Sequence, residues 1–133
     1  SPNNMIQTGI LKSFVPDNML SAMNQLTPPL ADNLPFGVVK LDDHGSVIIY
    51  NKYNSKEFAD FKPLSVVGKN YFTEVAPCSN NFIFSGRFKR GVAAKEMNFV
   101  FDYVFTYKLA PTKVRVHLFR DSAGSNWIFV KKH

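Results

Sequence analysis

Apolar and polar side chains alternate most regularly in the second half of the chain. Every second residue from position 97 to position 109 is apolar or aromatic. A period of two over this length predicts one long strand with a single face turned towards a core. The alternation returns at residues 113 to 118, after Pro111, and at residues 126 to 131, after a Gly-Ser turn. We therefore predict three consecutive strands in this part of the chain.

Two shorter strands are predicted earlier, at residues 36 to 41 and 46 to 50. The four residues between them, Asp-Asp-His-Gly, have the composition of a tight turn, so the two strands form a hairpin. His44 is therefore interpreted as a turn residue. His117 falls on a basic row of a later strand and is expected to be solvated.

Helical patterns fill the middle of the chain. One begins at residue 51 and continues to residue 60, and Pro63 limits its length. Another follows the single cysteine; we expect Phe82 and Ile83 to lie on this helix and its two glycines to break it. A cluster of basic residues at positions 87 to 90 falls partly on its outer side.

Residues 1 to 30 are interpreted as an N-terminal cap on a core domain that spans residues 31 to 133. A short amphipathic helix is predicted in the cap, with Asp17 placed to cap its first amides. The Thr-Pro-Pro sequence at positions 27 to 29 ends it. Its apolar side chains recur at helical spacing, at Met19, Ala22, Met23 and Leu26.

The predicted order is strand, strand, short helices, helix, strand, strand, strand. Hairpins at both ends with helices between them indicate an α+β fold, a five-stranded antiparallel sheet with its helices packed on one face. The N-terminal helical cap is added to this core. This is the element order of a PAS domain.

Composition narrows the functional classes. The 133 residues suit one domain, and 13 phenylalanines predict a core built on large rings with room for a flat aromatic guest. The net charge of +6 is spread along the chain, and no nucleic-acid motif accompanies it. No apolar run suits a membrane helix and no signal pattern opens the chain, so a cytoplasmic protein is expected. Ser1-Pro2 without an initiator Met suggests a domain of a longer protein.

The single cysteine is the clearest candidate for chemistry. Cys78 follows Pro77, which prevents a helix from running into it. An unpaired cysteine is either a small buried apolar residue or a reactive thiol, and the residue alone leaves both open. The chain has no paired carboxylates, no metal-ligand spacing and no Cys-His arrangement, so we expect neither an enzyme nor a metal site.

Several collinear strings across about a hundred residues resemble the photoactive yellow protein family of blue-light PAS photoreceptors. They are Phe36-Gly37, Leu41-Asp42, Tyr50-Asn51, Val67-Gly68-Lys69-Asn70, Val75-Ala76-Pro77-Cys78, Phe105-Thr106-Tyr107, Pro111-Thr112-Lys113-Val114 and Trp127-Ile128-Phe129-Val130-Lys131. The resemblance does not extend to residues 1 to 30, although the family does carry a helical cap that responds to signalling.

The resemblance implies p-coumaric acid (4-hydroxycinnamic acid) bound as a thioester to Cys78. A thiol suits this role because its thiolate attacks an acyl carbon to give a thioester. Tyr50 would donate a hydrogen bond to the buried phenolate, which is costly to bury without such partners. Phe105 and Tyr107 match positions around the ring and linker. The remaining lining is matched by Tyr71, Phe72, Val75, Ala76 and Pro77.

The chain departs from the family at the phenolate end of the site. The family has a glutamic acid four residues after the tyrosine, where this chain has Asn54. Glu57 lies seven residues after Tyr50, and both positions share a helix face with it. We favour Asn54 as the phenolate partner and keep Glu57 as the alternative. The Asn54 amide can donate a hydrogen bond, but it has no titratable proton to give to the phenolate. Leu109 replaces the family's methionine, which implies slow dark recovery.

Two functions follow. The first is a photosensory domain in which light isomerises a p-coumaroyl group on Cys78. The resulting strain releases the cap or shifts a surface, and a downstream signalling domain or protein reads this change. The alternative is a light-insensitive PAS module for sensing or dimerisation, with or without a non-covalent ligand in the aromatic pocket. A homodimer is compatible with either function; nucleic-acid and membrane partners are not expected.

Overall fold

A five-stranded antiparallel sheet organises the chain in the computed structural model, which describes residues 13–58, 63–106 and 111–132. The strands are β1 (Gly37–Leu41), β2 (Val47–Tyr50), β3 (Asn98–Phe105), β4 (Thr112–Arg120) and β5 (Asn126–Lys132). Their order across the sheet is β2-β1-β5-β4-β3, with every neighbouring pair antiparallel. The predicted fold class is confirmed, and the last strand of the chain lies at the centre of the sheet.

Helices and tight turns between β2 and β3 cover one face of this sheet. They are α3 (Lys52–Glu57), α4 (Pro63–Val66), a π-helical turn (Tyr71–Val75), a 3-10 turn (Pro77–Ser79) and α5 (Ser85–Ala94). The large rings of Phe84, Phe88 and Phe101 are buried between these elements and the sheet. The apolar face predicted for the long strand is therefore the core face of β3.

Helix α5 differs from its prediction in two ways. Phe82 and Ile83 precede the helix in a turn and are exposed, so their predicted place on it is wrong. The helix also runs unbroken through Gly86 and Gly91. Gly91 is needed for packing, because a Cβ there would lie 2.7 Å from Cγ of Met97.

The opposite face of the sheet is covered by the cap. Its elements are α1 (Asp17–Leu20), a 3-10 turn (Met23–Gln25) and α2 (Pro28–Ala31). Because α2 ends at Ala31, one residue past the predicted boundary, Ala31 is counted with the cap from here on. Val15, Met23 and Ala31 pack with Trp127 and Phe129, so both faces of β5 are buried. Pro28 starts α2 rather than only ending the preceding helix, because proline suits the first helical position. Asp17 makes no capping hydrogen bond.

His117 is buried, with 2% of its surface exposed, and the expectation of a solvated histidine is wrong. The reason is the cap, which covers the face of β4 on which His117 lies. The imidazole bonds through Nδ1 to Ser13 Oγ and through Nε2 to Asn98 Oδ1, each at 2.6 Å. His44, by contrast, is exposed in the β1–β2 turn, as expected. No helix among the described residues is long and apolar enough to cross a membrane.

Candidate functional site

Cys78 sits in a backbone segment that local hydrogen bonds hold closely. The Asn70 side chain begins the π-helical turn by accepting from the amides of Phe72 and Thr73 at 3.0 and 3.1 Å. The 3-10 turn follows, with Pro77 at its first position, where the missing N–H costs nothing. Ser79 Oγ then donates to the carbonyl oxygen of Ala76 at 2.6 Å. These bonds hold Cys78 half-buried against the aromatic core.

A tyrosine that the sequence analysis did not assign to the site anchors the same turn. The Tyr103 hydroxyl donates a 2.5 Å hydrogen bond to the carbonyl oxygen of Cys78. Asn81 Nδ2 donates to the Tyr103 hydroxyl and to the same carbonyl. Burial raises the pKa of Tyr103, and the nearby Cys78 thiol adds to this, while the Asn81 hydrogen bond acts in the opposite direction. The alternation along β3 signals Tyr103, because it places this residue on the aromatic face.

Tyr50 closes β2 and points into the same core as Cys78. It pairs with Val39 of β1 and is 5% exposed. Burial raises the pKa of its phenol above the usual value. Among the described residues, no side chain or backbone group forms a hydrogen bond with the Tyr50 hydroxyl. A largely buried phenol of this kind is a ready donor for an acceptor that enters the core.

Aromatic rings fill the space around these two residues. The ring centroid of Phe105 lies 5.2 Å from that of Phe58 and 6.3 Å from that of Phe84. The centroids of Phe84 and Tyr71 are also 6.3 Å apart. Predicted site residues Tyr71 and Phe105 are therefore in one cluster with Tyr50 and Cys78. Pro77 is exposed on the adjoining turn. The predicted residues Tyr107 and Leu109 lie outside the described residues.

The two candidates for the phenolate partner have other contacts in the structure. Asn54 is buried and donates from Nδ2 to the carbonyl oxygen of Val38 at 3.1 Å and to Asn51 Oδ1 at 2.9 Å. Glu57 pairs through Oε1 with Nζ of Lys132 at 3.0 Å. Contact with a phenolate would require either side chain to exchange these bonds for a new one. Both residues therefore stay candidates for the phenolate contact, since catalytic and binding side chains often change partners when a ligand enters.

No protein-family model matches the chain. The chain is 42% identical over 120 residues to the photoactive yellow protein of Rhodothalassium salexigens, a match that covers 90% of this chain and 95% of that protein. The photoactive yellow protein domain of the sensor histidine kinase Ppr from Rhodospirillum centenum superposes with a TM-score of 0.79 at 35% identity, covering 85% of this chain and 99% of that domain.

A more distant structure confirms the fold alone. The PAS domain of an HTR-like protein from Haloarcula marismortui superposes with a TM-score of 0.60 at 15% identity, over 84% of this chain and 97% of that domain. Both nearer relatives are more than 30% identical to this chain over at least 85% of its length, and the Ppr domain shares the arrangement of the sheet and helices. The chain therefore belongs to the photoactive yellow protein family.

Proposed function

We propose that this blue-light photoreceptor PAS domain carries p-coumaric acid as a thioester on Cys78, with the Tyr50 hydroxyl as a hydrogen-bond donor to its phenolate. The observation that carries the proposal is Tyr50, a residue 5% exposed that shares a core with Cys78 and whose hydroxyl has no partner among the described residues. A phenolate in that position would give the hydroxyl a charge-assisted bond, which is about twice as strong as a neutral one. The residues present therefore fit the group.

The group supplies visible absorption and a double bond whose geometry light can change. The protein supplies the rest. The Cys78 sulfur would attack the acyl carbon of an activated donor, the bond to the leaving group would break, and the thiol proton would pass to solvent. The Tyr103 and Ser79 hydrogen bonds then keep the Cys78 backbone in one position. The rings of Phe84 and Phe105 exclude water, which protects a thioester from hydrolysis.

The path for a signal runs from Tyr50 to the cap. Asn51, the next residue, donates from Nδ2 to the carbonyl oxygens of Ala31 in α2 and of Phe36. A change in what the Tyr50 hydroxyl binds would act on the backbone that holds Asn51. We propose that light weakens the attachment of the cap by this route and that a downstream signalling domain or protein reads the change. Photoreceptor signalling, rather than a catalysed reaction, is the function of the domain.

Reconstitution tests this proposal. The apoprotein is mixed with an activated p-coumaroyl donor, and the intact mass and the visible spectrum are recorded. We expect a mass increase of one p-coumaroyl group and a blue absorption band, both abolished by Cys78→Ala. Failure to form an adduct, or an adduct that persists in Cys78→Ala, would rule out thioester attachment and favour the light-insensitive PAS module.

A second pair of variants tests the role of Tyr50. Tyr50→Phe removes a hydroxyl that has no hydrogen-bond partner in the described part of the chain, so the adduct should still form but its absorption band should move. Tyr53→Phe is the matched control, because the Tyr53 hydroxyl accepts from the amide of Lys132 at 3.1 Å. The control band should stay in place. Identical bands in both variants would remove Tyr50 from the site.

A further inference from the structure

The turn before α5 exposes two large apolar side chains next to each other. Phe82 is 78% exposed and Ile83 is 51% exposed, and Phe82 is the most exposed large apolar residue among those described. Neighbouring exposed apolar residues on a soluble domain often mark a surface that another molecule covers. The turn itself is ordered, since Asn81 Oδ1 accepts from the amides of Ile83 and Phe84 at 3.0 Å.

Two arginines complete this surface. The guanidinium of Arg90 lies 4.6 Å from the Phe82 ring centroid, and that of Arg87 lies 4.5 Å from the Phe101 ring centroid. No carboxylate among the described residues forms an ion pair with either arginine. We call Phe82, Ile83, Arg87 and Arg90 the Phe82 patch. Lys89, which is exposed on the same helix, adds to its positive charge.

The chemistry of the patch selects one kind of occupant. A second copy of this chain is disfavoured, because each copy carries a net charge of +6. A lipid surface is disfavoured too, because only two apolar side chains protrude and the apolar area they could bury in a membrane is small. A guanidinium held beside a ring and without a carboxylate partner can bind an incoming carboxylate through two parallel hydrogen bonds. Aromatic residues and arginines also dominate the binding energy of protein interfaces.

We propose that the Phe82 patch binds an acidic segment of a partner protein, in which an apolar side chain lies beside carboxylates. The apolar residue would pack on Phe82 and Ile83, and the carboxylates would pair with Arg87 and Arg90. The partner is thus a protein with an acidic, partly apolar binding segment.

The patch is joined directly to the turn that holds Cys78. Asn81 Nδ2 donates to the carbonyl oxygen of Cys78 at 3.3 Å, while its Oδ1 holds the amides of Ile83 and Phe84. One side chain therefore links the position of Cys78 to the backbone of the patch. Resting on the proposed attachment of a chromophore to Cys78, we infer that light changes the affinity of the patch by moving Asn81.

Binding is tested first in the dark and without reference to the chromophore. The probe is a fluorescent synthetic peptide of alternating Glu and Leu residues, titrated into the full chain and followed by anisotropy. Phe82→Ser and Arg90→Gln should each weaken binding by about tenfold, as expected of central interface residues. Ile48→Ser and Lys131→Gln are matched controls, because Ile48 is 46% exposed and Lys131 is exposed on β5. Both controls should change the affinity less than about twofold.

Three results would overturn the proposal that the Phe82 patch binds an acidic protein segment. They are no saturable binding of the peptide, equal losses of affinity in the control variants, or patch-dependent binding to phosphatidylserine vesicles without peptide binding. Once the chromophore is attached, the titration is repeated in the dark and under blue light. Coupling is supported if blue light changes the affinity for the peptide and Asn81→Ala abolishes this change. Equal affinities in the dark and under blue light would overturn the coupling. Because the dark titration needs no chromophore, failure of the patch and failure of attachment at Cys78 are distinguishable.

Discussion

Asn51 donates a 2.7 Å hydrogen bond from its side-chain amide to the backbone carbonyl oxygen of Ala31, and so joins the cap to the core beside Tyr50. The same amide donates to the carbonyl oxygen of Phe36 at 2.9 Å, and Oδ1 accepts from the amide of Val38 at 2.9 Å. Asn51 is 1% exposed. One buried side chain therefore satisfies three backbone groups at the point where cap, β1 and β2 meet.

Replacing Asn51 with alanine should strongly destabilise the domain. The change leaves the carbonyl oxygen of Phe36 and the amide of Val38 without their Asn51 partner, whereas the carbonyl oxygen of Ala31 still accepts from the amide of Leu34. Unsatisfied buried groups cost about 1–3 kcal/mol each. We expect the free energy of unfolding, measured by urea denaturation, to fall by about 3 kcal/mol. The exposed residue Asn33 gives the control: Asn33→Ala should cost less than about 0.5 kcal/mol. Similar small losses in both variants would contradict this role.

His117 makes the stability of the domain depend on pH. Burial lowers its pKa from 6.5 to about 4, with a smaller opposing effect from the carboxylate of Asp17. The Asn98 oxygen only accepts, so the neutral ring donates from Nε2 and accepts from the Ser13 hydroxyl at Nδ1. Between about pH 6.5 and pH 4 the unfolded chain holds a proton on this histidine and the folded chain does not. Stability from this group is therefore full above pH 6.5 and falls as the pH drops towards 4.

The expected loss between pH 7 and pH 5 is on the order of 1–2 kcal/mol of unfolding free energy. Urea denaturation at the two pH values measures it. His117→Gln should lose most of the pH dependence, whereas His44→Gln should keep it, since His44 is exposed in a turn. An unchanged pH dependence in His117→Gln would show that the carboxylates alone account for acid destabilisation.

Much of the fold is predictable because each strand carries its burial pattern in its own sequence. The alternation along β3 places Phe101 and Phe105 on the core face without any knowledge of the rest of the chain. The cap limits this reasoning. The cap packs on the outer face of the sheet and buries His117, which the polar pattern of its strand predicts to be exposed. The pattern of a strand contains no information about a segment, about a hundred residues away in the chain, that covers the strand.

The candidate site is predictable in a different way. Resemblance picks out Cys78 and Tyr50, and the structure places both in one core. Tyr103 escapes a sequence argument because its bond to the Cys78 carbonyl depends on how β3 meets a turn some 25 residues earlier in the chain. Asn81 lies only three residues after Cys78, and its bond depends on the shape of the turn between them, which residue spacing does not give. The exposure of Phe82 also escapes an argument from helical periodicity, because α5 begins only at Ser85.

Leu109→Met should speed dark recovery of the chromophore-loaded protein. The expectation comes from the family, in which a methionine at the matching position promotes thermal re-isomerisation. A flexible, polarisable thioether adapts to a chromophore whose double bond changes geometry. The return of the dark absorption band after a light pulse measures the rate. Leu26→Met, which makes the same exchange in the cap, should leave it unchanged. Equal rates in wild type and Leu109→Met would remove this role from position 109.

The position of the dark absorption band identifies which side chain, Asn54 or Glu57, contacts the phenolate. Asn54 is 2% exposed next to β1, whereas the Glu57 side chain is 23% exposed and paired with Lys132, so Asn54 is the favoured donor. Asn54→Glu would replace an amide by a carboxylic acid, a stronger donor that localises charge on the phenolate. The dark band should move to shorter wavelength.

Two further variants test the role of Glu57 and leave the buried side-chain amides of Asn51 and Asn54 unchanged. Glu57→Gln and Lys132→Gln each break the 3.0 Å pair between these residues at the end of β5. If Asn54 is the partner, both variants keep the wild-type band, because neither alters a group near the phenolate. If Glu57 is the partner, Glu57→Gln removes a titratable proton and moves the band, and Lys132→Gln frees the carboxylate to turn inward. A shifted band in these two variants, with an unshifted one in Asn54→Glu, would assign the proton donor to Glu57.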